Sequence, residues 1–255
     1  MPQFNRSSFS LYVRSAVYAA GQTLSTLVIG PLMVLATPLS FRWRYRLANG
    51  WVKFNLWVLG QVCGLRHEVE GLENLPERSG VILCKHQSAW ETLALQVIFP
   101  PLCFILKKEL LNIPVWGWAM ATQEPIAIDR TARTAAIKQV LREGVDRLQK
   151  GRWVVIFPEG TRMPPGTRGQ YNASGAALAQ RAGCPVIPVA HNAGEYWGKN
   201  GFLKYPGTIR VCIGPAIEAG VEPPAVVMQR VEAWIEARME DMARLPRPVD
   251  TYQGD

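Results

Sequence analysis

The sequence predicts an α/β domain whose largely parallel sheet is flanked by helices, and three observations carry that prediction. From residue 66 onward, short β-branched or apolar runs alternate with helical stretches, the rhythm that builds parallel sheets. Four successive runs end in charged or polar residues that a core would not accept. The segment before residue 66 differs in composition and reads as an attachment to the domain rather than part of its sheet. The 255 residues suffice for one sizeable domain of this kind, and with 48% hydrophobic residues it can bury a core.

The leader comes first. The chain carries a net charge of +8, and its first acidic residue is Glu68. Before it stand Arg6, Arg14, Arg42, Arg44, Arg46, Lys53 and Arg66, which account for almost the whole imbalance. Between Arg14 and Arg42 lie 27 uncharged residues, 15 to 41, against the roughly 20 needed to span a bilayer. A cleaved signal peptide fits poorly, because "RWRYR" follows the run instead of a small-residue cleavage site. A second stretch, "WVKFNLWVLGQVCGL" (51 to 65), is too short to cross and reads as an interfacial helix with Trp51 and Trp57 at headgroup depth. Residues 1–65 are therefore expected to form a two-helix membrane anchor, embedded or spanning once, with the arginines between the helices on the cytoplasmic face. The expected location is the cytoplasmic membrane, with the catalytic domain on its cytoplasmic side.

Residues 66–246 form the domain. The predicted strands are 80 to 84, 103 to 106, 125 to 128, 153 to 157, 184 to 190 and 208 to 213. The clearest helices are 132 to 150, 173 to 183 and 225 to 244, the last read as a packing helix on the sheet. Residues 247–255 are expected to be a flexible tail. Five cysteines without CxxC spacing read as reduced core residues. Three histidines assemble no zinc motif, so no metal or cofactor is expected.

In parallel sheets, function collects at the carboxyl ends of the strands. After the four runs come "KHQSAWE", "KKEL", "DR" and "PEGTR", which would share one polar edge. In the first, Ser88 to Glu91 is a capping box: Ser88 opens a helix and Glu91 reaches back to a free amide. The same residues allow a second reading. If His86 lies just before that helix and Glu91 in its first turn, the carboxylate can hold one imidazole nitrogen and leave the other free as a general base. On this reading Glu91 serves only one of the two roles fully. No G-x-S-x-G elbow surrounds Ser88, and Cys84 sits in an apolar run, so the base would act on a hydroxyl of the substrate. His191 reads as structural.

These segments resemble the motifs of the glycerolipid acyltransferases, specifically the bacterial 1-acylglycerol-3-phosphate acyltransferase family: "KHQSAWE" (85 to 91), "ILKKELLNIPVWGWAM" (105 to 120) with "AIDR" (127 to 130), "IFPEGTR" (156 to 162) and "CPVIPVAHNAG" (184 to 194). Order and spacing agree over about residues 66 to 220. The resemblance implies a glycerolipid acyltransferase-like fold and transfer of an acyl chain from acyl-CoA or acyl carrier protein to the hydroxyl of a lysophospholipid. It assigns His86 and Glu91 to catalysis, and Glu159, Gly160, Thr161, Arg162, Lys107 and Lys108 to the acceptor. Asp129 and Arg130 would brace the site as an internal ion pair. Trp116, Trp118 and Met120 would line an acyl channel or seat the domain in the interface, with core packing the default for each taken singly. Two departures stand out: Glu91 replaces the family's usual aspartate, and Asn172 stands where many relatives carry a lysine.

The residues also set this reading against others. An ester hydrolase would use the same pair with water. A non-catalytic membrane adaptor would need only the anchor. "GEYWGKN" (194 to 200) is short of a P-loop and lacks its Ser/Thr. Nucleic acid is not an expected partner, because the basic residues flank lipid-length apolar runs.

Overall fold

The structure is a computed structural model that describes residues 8–243, so the tail 247–255 lies outside the described residues. In chain order the strands are β1 (Leu65–Glu70), β2 (Val81–Cys84), β3 (Leu102–Lys107), β4 (Ile126–Ile128), β5 (Trp153–Ile156), β6 (Pro185–His191), β7 (Gly207–Ile213) and β8 (Ile217–Glu218). The helices are α1 (Ser8–Leu35), α2 (Phe41–Val58), α3 (Trp90–Ile98), α4 (Trp116–Ala121), α5 (Arg133–Gln149), α6 (Ser174–Ala182), α7 (Ala193–Tyr196) and α8 (Pro224–Ala243).

The sheet runs β1-β7-β6-β2-β5-β3-β4, with β8 paired to β6. All pairs are parallel except β6–β7 and β6–β8. The period-2 alternation of buried strands sorts the side chains into two cores. Val81, Leu83, Val154, Ile156 and Val186 face the layer of α5, α6 and α8. Ile82, Cys84, Val155, Ile187 and Val189 face α3 and the leader helices. The domain is thus three layers with the sheet in the middle. β2, β5, β3 and β4 are consecutive in the sheet and parallel, so their carboxyl ends share one edge, as expected.

Two elements differ from the sequence reading. β1 begins at Leu65, within the stretch assigned to the anchor, and pairs with β7 from Leu65↔Gly207 to Glu70↔Cys212. The segment "LRHEVE" alternates burial along an edge of the sheet, and its charged residues hide it from an apolar-run search. The leader also folds differently. The first helix ends at Leu35, and α2 starts at Phe41 and includes the "RWRYR" segment, continuing as a π-helical turn over Leu59–Cys63.

Nor is the leader a detached anchor. Tyr18 on α1 and Tyr45 on α2 belong to the core shared with α3. Arg44 does not reach toward headgroups: it pairs with Glu124 at 2.6 Å and donates to the Thr122 carbonyl. Glu124 also takes Arg152 at 2.9 Å, and Arg152 stacks over Phe41. Trp51 is turned inward and donates to Ser25 Oγ at 3.1 Å. Trp57 is exposed, as expected. Phe9–Leu35 is long and apolar enough to cross a membrane, and 17% of its most apolar window is buried in the protein.

Gly71 closes β1 with φ +84°, and a Cβ there would stand 2.1 Å from the Ile213 carbonyl oxygen. Gly71→Ala is therefore expected to lower unfolding stability by about 1–3 kcal/mol, read from denaturant melts in detergent. An unchanged midpoint would contradict the β1–β7 edge.

Candidate active site

β2 ends at Cys84 and the chain turns into α3 within six residues. In that turn the Ser88 hydroxyl accepts the Trp90 N–H at 3.1 Å, and Glu91 Oε1 accepts the Ser88 and Gln87 N–H groups at 2.8 and 2.9 Å. The same Oε1 lies 2.8 Å from His86 Nδ1. Glu91 therefore does both jobs the sequence presented as competing. The helix start fixes the carboxylate, and the fixed carboxylate fixes the imidazole.

Glu91 is fully buried. Burial by itself would raise its pKa. Hydrogen bonds from His86 and the Ser88 amide, with the His191 ring nearby, oppose burial, and the carboxylate is held below its ordinary value. His191, at the end of β6, sits 4.0 Å from Glu91 Oε2. Its Nε2 donates to the Lys85 carbonyl at 2.8 Å and its Nδ1 accepts the Ala193 N–H. Burial lowers its pKa and favours the neutral ring. This agrees with a structural histidine, one placed against the Glu91 carboxylate.

The His86 ring is held on a second side. It stacks on Phe157 with centroids 3.9 Å apart and planes at 13°. With Nδ1 turned to Glu91, Nε2 has no protein partner among the described residues, and the ring borders a cavity of about 600 Å³. Lys107, Arg130 and Arg162 line the same cavity. Its lining also includes the apolar side chains of Leu27, Ile113, Trp116 and Met120. An imidazole, three cationic side chains and apolar side chains thus line one cavity.

The Acyltransferase family profile matches residues 66–192. The 1-acyl-sn-glycerol-3-phosphate acyltransferase of Pseudomonas aeruginosa is 47% identical over 242 residues, 93% of this chain and 94% of that one. The chain belongs to this acyltransferase family. The 1-acyl-sn-glycerol-3-phosphate acyltransferase of Saccharomyces cerevisiae is 34% identical over 52% of this chain and 45% of its own length. The crystal structure of the 1-acyl-sn-glycerophosphate acyltransferase PlsC from Thermotoga maritima superposes with a TM-score of 0.78, covering 94% of this chain and 98% of that chain. At 21% identity, that likeness speaks for the fold.

Within this acyltransferase, the predicted site residues divide. His86, Lys107, Arg130 and Arg162 border the cavity. Glu159 does not. Its side chain is fully buried behind the histidine, pairs with Lys85 Nζ at 2.7 Å and accepts the His86 backbone N–H at 3.0 Å. Gly160 turns the chain with φ +67°, a conformation that suits glycine, and its carbonyl is held by Arg130 at 2.8 Å. Thr161 is exposed and outside the cavity lining.

The expected Asp129–Arg130 ion pair does not form. Asp129 pairs with Lys108 at 2.5 Å and accepts the Thr131 N–H and hydroxyl. The Lys108 contact leads in holding the Asp129 carboxyl well below the usual range. Lys108 is thereby engaged away from the cavity, and Lys107 is the lysine that lines it. Trp116 and Met120 line the cavity, whereas Trp118 is exposed. Asn172, at the departure from the family pattern, accepts the Ser174 N–H at 2.7 Å and starts α6.

Sequence reasoning missed Lys85, Glu236 and Tyr171, which form a chain of contacts that reaches Glu159 through Lys85. Lys85 stood in the quoted motif, adjacent to His86. Nothing in the sequence connected it with a glutamate about 150 residues away.

The depressed Glu91 carboxyl carries a pH consequence. A carboxylate held below its unfolded pKa stabilises the fold above that value and loses its contribution as pH falls through the folded one. The stability gap between wild type and Glu91→Gln is expected to be full near pH 7 and to narrow below about pH 4.5. Thermal melts across that range check this. A gap that widens on acidification would contradict it.

Proposed function

We propose that this acyltransferase moves a fatty acyl chain from an acyl-CoA or acyl carrier protein thioester to the free hydroxyl of lysophosphatidic acid, giving phosphatidic acid. The supporting observation is the position of His86, held through Nδ1 by a buried carboxylate and bordering a cavity lined by both cationic and apolar side chains. The 47% identity to a named 1-acyl-sn-glycerol-3-phosphate acyltransferase across nearly both whole chains supports the acceptor.

Nε2 takes the hydroxyl proton as the oxygen attacks the thioester carbonyl. Glu91 keeps the ring in the tautomer that can accept it and stabilises the imidazolium that forms. Collapse of the tetrahedral intermediate breaks the C–S bond, and the departing thiolate takes the proton back from His86. Arg162 and Lys107 receive the acceptor phosphate. A guanidinium offers a bidentate fork, and the ammonium adds a mobile point charge. Arg130 braces the Gly160 turn from the same wall. The apolar chamber by Trp116 and Met120 takes an acyl chain.

Membrane association belongs to the same reading. α1 turns Val17, Leu24 and Val28 outward, and α2 presents Trp43, Phe54 and Trp57. Arg42, Arg46 and Lys53 are exposed nearby, with Arg46 stacked on Trp43. Exposed apolar and aromatic side chains with a basic rim suit the cytoplasmic leaflet.

The test offers membranes a labelled acyl-CoA or acyl carrier protein together with lysophosphatidic acid, a second lysophospholipid, a lyso-ornithine lipid, or no acceptor. Wild type is expected to form phosphatidic acid, and His86→Ala to lose about 10²–10⁴-fold of that rate. Arg162→Ala should raise the KM for the acceptor more than it lowers kcat. Transfer that persists in His86→Ala would overturn the mechanism. Acyl release without an acceptor would indicate a hydrolase, and preference for the lyso-ornithine lipid would replace the acceptor.

A further inference from the structure

Behind His86, on the side away from the cavity, lies a cluster of charges that the reaction above does not use. Lys85 is 1% exposed through its side chain and lies 2.7 Å from Glu159 Oε1 and 2.8 Å from Glu236 Oε1. It also donates to the Thr167 carbonyl at 3.1 Å. The Tyr171 hydroxyl donates to Glu236 Oε1 at 2.7 Å. One ammonium thus faces two carboxylates beneath the sheet edge. Burial leads in raising the Glu159 pKa, against the pull of Lys85.

Removing three charges from water is costly, and well-packed apolar side chains often replace a buried ion cluster without loss of stability. Stability alone is therefore a weak reason for this cluster to exist. What it touches is more informative. Glu159 Oε2 accepts the His86 backbone N–H at 3.0 Å. The His86 carbonyl accepts the Met163 N–H at 2.7 Å, and the preceding peptide is tied by Lys85 N–H to the Val189 carbonyl at 3.0 Å. The path of contacts from Tyr171 through Glu236, Lys85 and Glu159 ends on the main chain that carries the imidazole.

We propose that Lys85, Glu159, Glu236 and Tyr171 form a positioning network, in which Glu236 of α8 fixes the placement of His86 by holding Lys85 against Glu159. The proposal rests on the general-base reading of His86 and extends it to the C-terminal helix. Glu236 is a positioning residue, since none of the four side chains lines the cavity. Without Glu236, the Lys85 ammonium loses one of its two carboxylates, and Glu159 no longer has a fixed partner from which to hold the His86 amide. The imidazole then moves relative to Glu91 and the cavity. A misplacement of that order costs about ten- to a hundredfold in rate.

The test measures Glu236→Ala, Glu236→Gln and Tyr171→Phe in detergent, each with a thermal melt to count folded protein. Two readouts are taken: kcat and acceptor KM, and the imidazole ¹⁵N shifts of His86, which report which ring nitrogen carries the proton. Wild type should show Nδ1 protonated. Glu236→Ala is expected to lose that fixed tautomer and to drop in kcat by about tenfold or more, with KM changed by less than about twofold. Glu236→Gln keeps an acceptor oxygen for Lys85 and should restore most of the rate. Tyr171→Phe should lower kcat by about two- to fivefold, as one hydrogen bond to a charged group is lost.

A folded Glu236→Ala that keeps both the tautomer and kcat overturns the proposal, as does a tautomer unchanged while activity falls. If Glu236→Ala does not fold, the same two readouts on Tyr171→Phe decide. A wild type that acylates no lysolipid, beside a variant that still loses the tautomer, would remove the reaction and leave the network standing.

Discussion

A carboxylate cut off from water must be neutralised or met by donors, and Glu91 is such a group. It is met by two backbone amides of the strand-to-helix turn and by His86 Nδ1, all on one oxygen. Both amides belong to the loop between β2 and α3, outside any ladder of backbone hydrogen bonds, so that loop supplies the donors that make a buried carboxylate tolerable. The imidazole inherits its orientation from that arrangement, and Phe157 holds its face. The extra methylene of glutamate relative to aspartate is accommodated here, with the carboxylate still at hydrogen-bond distance from the ring.

The sheet topology turns this local device into a site. Because β2, β5, β3 and β4 are neighbours and parallel, the segments following them meet at one edge. The segment after β5 contributes twice. Arg162 faces the cavity, whereas Glu159, three residues earlier, faces the interior and ties to the His86 main chain. The turn thus sends one charged side chain to the cavity and another to the interior. The leader helices complete the chamber: Leu27 on α1 and Trp51 on α2 line it, while the outer faces of both helices stay apolar and exposed. One pair of helices thus offers an inner face to the chamber and an exposed apolar face to the outside.

Much of this was legible in the sequence, for identifiable reasons. The six buried strands were visible because each is an apolar run bounded by breakers, and their polar endings marked the active edge. β1 was not visible: an edge strand reading Arg66, His67, Glu68 has no apolar run to find. The His86–Glu91 meeting could be inferred from local geometry, since five residues and one turn constrain it. The partners of Asp129 and Glu159 could not be inferred. Asp129 has Arg130 beside it in sequence and Lys108 beside it in space, because β3 and β4 pair in register. Lys85 meets Glu159 and Glu236 only because the end of β2, the turn after β5 and α8 come together, a contact that no spacing in the chain encodes. Trp51 was placed at headgroup depth on its amphipathic character, but its indole N–H found Ser25 on the neighbouring helix instead.

The central claim is that His86 Nε2 is the atom that meets the acceptor, with the phosphate gathered by Arg162 and Lys107. A crystal structure of the acyltransferase with lysophosphatidic acid and a non-transferable thioester analogue tests it most directly. The account predicts the acceptor hydroxyl within hydrogen-bond distance of Nε2, Nδ1 still on Glu91, and phosphate oxygens on the Arg162 guanidinium. A hydroxyl bound away from His86, or a phosphate held at a surface that excludes Arg162, would contradict it.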